Sequence, residues 1–144
     1  TIEATYMPLT DLGTPNTCPT ALLFRNSLFL VGLRRYSDSN IVWTLPGGRC
    51  MRNEFIEQAL RREVLEEVGI SEFAIKELVC IVNGAKEGDI VPIYYASTTQ
   101  DFKNLEPTKF LEWRWISKTE LQNNRAYIGI NPFAVKLVLD YLSR

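Results

Sequence analysis

Histidine is absent from the 144 residues. That removes Ser-His and Cys-His nucleophilic catalysis and any His-ligated zinc, leaving carboxylates, lysines and tyrosines as the available acids and bases. Cysteine is scarce and odd in number. Cys18, Cys50 and Cys80 share no metal-ligand spacing, which fits free thiols in a reducing, cytoplasmic setting better than a disulfide framework. No apolar run approaches the length of a membrane span and no signal-peptide pattern opens the chain, so a soluble protein is expected. Charge of one sign is also missing: the net charge is −1 and there is no basic stripe. Any nucleotide would therefore be held locally and not by an extended nucleic-acid surface. With no repeats or low-complexity tract, the length is that of one ordinary domain with a real core. The expected division is an N-terminal arm over residues 1–18 and a single domain over 19–144.

What is present is concentrated between Ile41 and Ile70. The run Ile41-Val42-Trp43-Thr44-Leu45-Pro46-Gly47 reads as a strand leading into a glycine-rich bend. Gly47 and Gly48 allow positive φ and close approach of the backbone to a ligand. A helix follows, with Asn53 as the expected N-cap, Glu54 in its first turn and Gly69 as its left-handed end. Within it Glu63, Glu66 and Glu67 stand at i, i+3 and i+4, an arc of roughly 100°. Two unit charges ~5 Å apart at an effective dielectric of ~20 repel by roughly 3 kcal/mol. Arg62 alone does not neutralise three acids, so a hard cation held by oxygen ligands, Mg²⁺ or Mn²⁺, accounts for the cluster. The plainer alternative is a solvated acidic helix face.

Gly48, Glu54, Arg62, Glu63, Val64, Glu66, Glu67, Gly69 and Ile70 together match the whole signature of the Nudix hydrolases. Chance would produce that coincidence at a given site roughly once in 10⁸. The chain thus resembles this family, and the lead-in Trp43 to Gly47 is similar to the family's as well. Two departures are small: Met51 where an acid is frequent, and Asn53 where glycine is. The resemblance implies an α/β fold, the family's α/β/α sandwich with a mixed sheet. It also implies divalent-metal-dependent attack of water at phosphorus in a nucleoside diphosphate linked to a further group. Carried over residue by residue, Glu63, Glu66 and Glu67 are metal ligands, Arg62 orients a box glutamate, and Glu54 pairs with that arginine or binds metal through water. The backbone at Gly47 and Gly48 completes the metal and substrate contacts. Arg34 and Arg35, at the end of a strand, either contact substrate phosphate or simply cap the strand in solvent. Glu106 and Glu112 are the candidates for a base outside the box, with Glu87 and Asp89 as alternatives; all four also fit exposed surface positions.

Substrate choice is less sharply written. Trp113 to Trp115 and Asn83 are similar to the nucleoside-triphosphate branch. The Gly47-Gly48-Arg49 start, Asn53-Glu54 and Arg125-Ala126-Tyr127 resemble GDP-mannose mannosyl hydrolases, which attack carbon with a degraded box. The intact carboxylates favour phosphorus. A non-catalytic nucleotide-binding regulator is the remaining class, and a homodimer is an open expectation.

In chain order, Pro19–Phe24 and Leu28–Leu33 read as a hairpin, and Tyr36 to Asn40 as a loop. Phe73–Val82 and Ile90–Ser97 form a second, longer hairpin, with Pro92 marking an edge or a bulge. Phe110–Ile116 is a strand whose Trp113 and Trp115 share a face, in a core role more than a stacking one. Lys118–Gln122 begins a short helix, and Pro132 opens the last one. There Phe133, Leu137, Val138, Tyr141 and Leu142 form the expected packing stripe.

Overall fold

The computed structural model describes residues 6–144. The elements run β1 (Thr20–Arg25), β2 (Leu28–Ser37), β3 (Asn40–Thr44), α1 (Ile56–Val68), β4 (Ala74–Asn83), β5 (Ile90–Ser97), β6 (Phe110–Ile116), α2 (Lys118–Asn123) and α3 (Pro132–Leu142). A single 3₁₀ turn, Arg125–Tyr127, joins the last two helices. The strands form one mixed sheet in the order β3-β2-β1-β5-β4, with β6 paired to β2. β1 and β5 are parallel and the other pairs antiparallel.

Period-two alternation gives each strand two apolar faces, and each face is covered. Leu22, Phe29, Val31, Val91, Ile93 and Ile116 pack with α2 and α3. Ala21, Leu23, Leu30, Tyr94, Ala96 and Trp113 pack with Leu60, Val64 and Val68 of α1. Each such large side chain contributes about 1.5–3 kcal/mol on burial, so both layers are needed. The result is the expected α/β/α sandwich. Both tryptophans of β6 lie on the α1 face, Trp113 buried and Trp115 partly so, as a core role requires.

Gly32 sits opposite Trp113 in the β2–β6 register, and the indole covers it. A Cβ built there would come within 2.6 Å of the ring. Gly32→Ala is expected to lower stability by about 1–3 kcal/mol, the usual result of overpacking. Urea unfolding measures this, and an unchanged midpoint would contradict the packing described.

Several expectations need correction. The helix does not begin at Asn53: that residue has φ 61, and α1 starts at Ile56 with Phe55 as its cap residue. The Gln58 side chain accepts from the Phe55 N–H at 3.0 Å. The next two donors are taken by the arm, Ile56 N–H to Asp11 at 2.9 Å and Glu57 N–H to Leu9 at 3.0 Å. Glu54 is then outside the helix, its carboxylate bound to the Met51 N–H at 2.8 Å. Tyr36 to Asn40 is not a full loop, because β2 and β3 extend to Ser37 and Asn40 and leave a two-residue turn. Pro92 lies in β5, which is interior; its missing N–H falls where the parallel ladder is broken between the Thr17↔Ile90 bridge and the Thr20↔Ile93 pair. The α3 stripe is rotated: Ala134, Val135, Val138 and Leu139 are buried, while Phe133, Leu137 and Tyr141 sit at its edge. Tyr141 there packs on Tyr95 and donates to Glu77. Of the arm expected over residues 1–18, residues 1–5 lie outside the described residues.

Candidate active site

The bend between β3 and α1 is stitched to the start of β1. Ala21 N–H donates to Pro46 at 2.8 Å and Gly48 N–H to Pro19 at 3.1 Å. Gly47 has φ 146, and a Cβ there would strike the Pro19 carbonyl, so only glycine fits. This seam brings the bend against α1.

The three helix glutamates meet three different environments. Glu67 follows Leu60 by seven residues and Val64 by three, which puts it on the buried stripe of α1. It is 4% exposed, and its Oε1 accepts from the Gly47 N–H at 3.0 Å. Burial holds its carboxyl well above the usual carboxylate range; the Gly47 N–H opposes that, and the charges of Glu63 and Glu106 add to it. Glu63 is mostly buried, and burial raises its pKa against the pull of Arg62. A Cβ at Gly48 would overlap the Glu63 carboxylate, so any side chain there would displace Glu63 from its present position. Glu66 is nearly half exposed.

Arg62 ties these groups together. Its fork grips Glu54 at 2.8 and 3.0 Å, while Nη1 reaches Glu63 at 2.7 Å and Glu66 at 2.8 Å. Nη2 also donates to the Arg49 carbonyl at 3.0 Å. The Arg62 guanidinium holds the Glu54 carboxyl below its usual range. Glu54 therefore acts through the arginine.

These groups border a cleft of about 290 Å³ lined by Glu63, Glu67, Gly47 and Gly48, with Arg34 and Lys109 among the facing cations. Arg34 is held by the Arg35 carbonyl at 2.8 Å and by the faces of Tyr36 and Phe110. On another wall Arg49 makes a two-point ion pair with buried Asp89, at 2.8 and 2.7 Å. The loop after β5 is bonded back to the end of α1, Leu105 N–H to the Glu67 carbonyl at 3.1 Å, which brings Glu106 to the Glu67 end.

Residues 16–137 match the family model of the NUDIX domain. The chain belongs to the NUDIX family. Among solved structures it is similar to a MutT NUDIX hydrolase from Burkholderia pseudomallei at 26% identity, covering 74% of this chain and 86% of that one, with a TM-score of 0.60. The fold is shared with a MutT protein from Methanosarcina mazei Go1 at 21% identity, 92% and 97% coverage and a TM-score of 0.71. It is shared too with an ADP-ribose pyrophosphatase from Streptococcus suis 89-1591 at 18% identity, 91% and 93% coverage and a TM-score of 0.66.

Within this NUDIX domain the sequence-derived candidates separate. Glu63, Glu67, Arg34, Gly47 and Gly48 border one cleft. Glu66 and Arg62 adjoin it through their shared bond. Arg35 does not face the cleft; it pairs with Asp38 at 3.7 Å and donates to the Thr108 carbonyl at 3.3 Å. Glu112 points to the other face of the sheet, where Arg114 holds it at 2.6 Å and also donates to Tyr127. The strand register separates it from Trp113 and so from α1. Glu87 is exposed at the β4–β5 turn, and Asp89 is consumed by Arg49. Arg125 and Tyr127, which suggested the mannosyl hydrolases, lie at the α3 side of the sheet. The cations Arg49, Lys86 and Lys109 were not singled out from the sequence, because their meeting depends on strands far apart in the chain.

Whether the site suits a hard cation follows from its donors. They are all oxygens. Glu106 Oε1 is buried without a hydrogen-bond partner, and the Lys109 ammonium stands 3.6 Å from it. The Gly48 carbonyl accepts no hydrogen bond among the described residues. Among the described residues the carboxylates do not converge on one point, since Arg62 and Gly47 hold them apart. A donor set of oxygens alone, with Glu63 and Glu67 mostly buried, is of the kind that suits a hard divalent ion.

Proposed function

We propose that this protein hydrolyses a phosphoanhydride bond of a nucleoside diphosphate linked to a further group, with a nucleoside triphosphate as the leading substrate. The observation that carries this reading is Glu67: a carboxylate 4% exposed, raised in pKa by burial, and opening on the same cleft as Glu63 and a set of cations. Glu63, Glu66 and Glu67, with the Gly48 carbonyl, are the groups that would hold Mg²⁺ or Mn²⁺. Such an ion supplies charge neutralisation at phosphate oxygens and a more acidic bound water.

The chain's own residues supply the rest. Arg62 fixes Glu63 and Glu66 by hydrogen bonds, which lowers the reorganisation needed at the moment of reaction. Arg34 and Lys109 face the substrate phosphates and offset their charge. Glu106, near enough to Glu67 to raise its pKa and paired only at 3.6 Å with Lys109, is the group outside the helix that we assign to accept a proton from the attacking water. Glu112 has no such access, being held by Arg114.

The testing experiment is a panel of nucleoside triphosphates, ADP-ribose, dinucleoside polyphosphates and GDP-sugars, incubated with Mg²⁺ and then Mn²⁺. Release of a nucleoside monophosphate is expected. GDP with free sugar would indicate attack at carbon instead, and tight binding without turnover would indicate a regulator.

A further inference from the structure

Most cations around the cleft are already satisfied. Arg62 serves Glu54, Glu63 and Glu66, and Arg49 is matched by Asp89. Lys109 shares its charge with Glu106. Lys86 and Arg34 line the same cleft and pair with no carboxylate among the described residues, but Arg34 is held by the Arg35 carbonyl and by the faces of Tyr36 and Phe110, and Lys86 has no such anchor among the described residues.

Its position is built. Lys86 is carried on the turn between β4 and β5, whose base is closed by Gly84 N–H to the Asp89 carbonyl at 2.9 Å. The turn is closed again by Asp89 N–H to the Lys86 carbonyl at 3.1 Å. The Asp89 carboxylate then fastens the turn to the rest of the cleft. It accepts two bonds from Arg49, the residue next to the glycine bend, and a third from the Asn16 side chain at 3.2 Å. Arg49 in turn donates to the Pro15 carbonyl at 2.6 Å. A clasp therefore holds the turn that carries the Lys86 ammonium on the cleft it shares with Glu63 and Glu67.

We infer that Lys86 is a specificity-determining residue that takes the terminal phosphate of the substrate, selecting nucleoside triphosphates over nucleoside diphosphates capped by a neutral sugar. This rests on the hydrolase reading above. A terminal phosphate carries up to about two negative charges, where a sugar presents hydroxyls. An ammonium with no internal partner gains a charge-assisted bond with the first and little with the second. The helix carboxylates with the ion they would hold, together with Arg34 and Lys109, would serve the anhydride that both substrate types share, so discrimination falls to Lys86, the unpaired cleft cation outside that set.

The test compares wild type, Lys86→Gln, Lys86→Glu and the charge-matched control Lys103→Gln, whose side chain is exposed and outside the cleft. kcat/KM is measured with Mg²⁺ on a nucleoside triphosphate and on ADP-ribose. The triphosphate-to-ADP-ribose ratio is expected to fall about tenfold in Lys86→Gln and further in Lys86→Glu, chiefly through KM. The control should keep the wild-type ratio. A ratio unchanged in both Lys86 variants overturns the inference while leaving hydrolysis intact. If wild type turns over neither compound, the hydrolase reading falls instead, and the same ratio is read from dissociation constants of the uncleaved nucleotides. Equal ratios there overturn the role of the lysine as well. Because Lys86 is exposed in a turn, unchanged melting temperatures are expected for all variants.

Discussion

Replacing Glu67 by glutamine is expected to lower metal-dependent turnover by about 10³-fold while making the metal-free protein more stable. The first effect is the loss of a ligand charge, worth roughly 4 kcal/mol of barrier at about 1.4 kcal/mol per decade. The second follows from burial. The folded state holds a proton on Glu67 up to a pH well above the ordinary carboxylate value. Between those two limits the folded chain binds more protons than the unfolded one, so stability falls as pH rises through that interval. At pH 7.5 the desolvation cost is present in wild type and missing in the glutamine variant, which keeps the same volume. A rise in Tm of about 3 °C or more is expected for the variant, and the gap should close as the pH approaches the ordinary carboxylate range. Adding Mg²⁺ should stabilise wild type and leave the variant nearly unmoved. Retained turnover in the variant, or a lower metal-free Tm, would sink this account of Glu67.

The second large effect is expected at Arg62. Arg62→Met removes the partner of Glu54 and Glu63, both mostly buried, and of Glu66. Leaving such carboxylates unpaired costs about 3–5 kcal/mol. At roughly 2–4 °C per kcal/mol for a chain of this size, the melting temperature should drop by about 6–20 °C. Arg62→Lys keeps the charge and loses the fork, so it should recover only part of the loss. Divalent metal should narrow the deficit, because it neutralises Glu63 and Glu66 but not Glu54. Calorimetry with and without Mg²⁺ decides the matter: a variant as stable as wild type would show that the Arg62 network contributes nothing.

The helix carboxylates also show how far the sequence alone carries. Their spacing put Glu63, Glu66 and Glu67 on one side of α1, where Glu63 and Glu66 share Arg62 while Glu67 turns to the Gly47 N–H. Spacing treated them as equals, yet their exposures run from 4% at Glu67 to 46% at Glu66. The difference was readable, since Glu67 stands at i+7 from Leu60 and i+3 from Val64, on the stripe that faces the core. A carboxylate on an apolar stripe is the mark of a desolvated functional group. Local signals likewise located the β1–β2 hairpin, where Asn26 takes φ 58, and the start of α2, where Ser117 and Glu120 exchange capping bonds. Helix α1 misled because Asn53 takes φ 61, outside helical geometry, and Glu54 is held by the Met51 N–H and by Arg62. Glu106 lies in the loop before β6, bonded back to the end of α1, while Glu112 leaves β6 on the opposite face, and the Arg49–Asp89 clasp spans 40 residues. No local pattern encodes such meetings; they follow from sheet order.

The strap of residues 9–13 across the start of α1 bears on where the working unit of this NUDIX protein ends. Its carbonyls at Leu9 and Asp11 close donors of the helix that carries Glu63 and Glu67, and Gly13 N–H returns a bond to the Glu54 carbonyl at 3.0 Å. The recognisable family segment starts only at residue 16. Sequence kinship and mechanical integrity thus have different borders here. A stretch ahead of that segment supplies the carboxylate-bearing helix with its first anchors, so the tether belongs to the site's support.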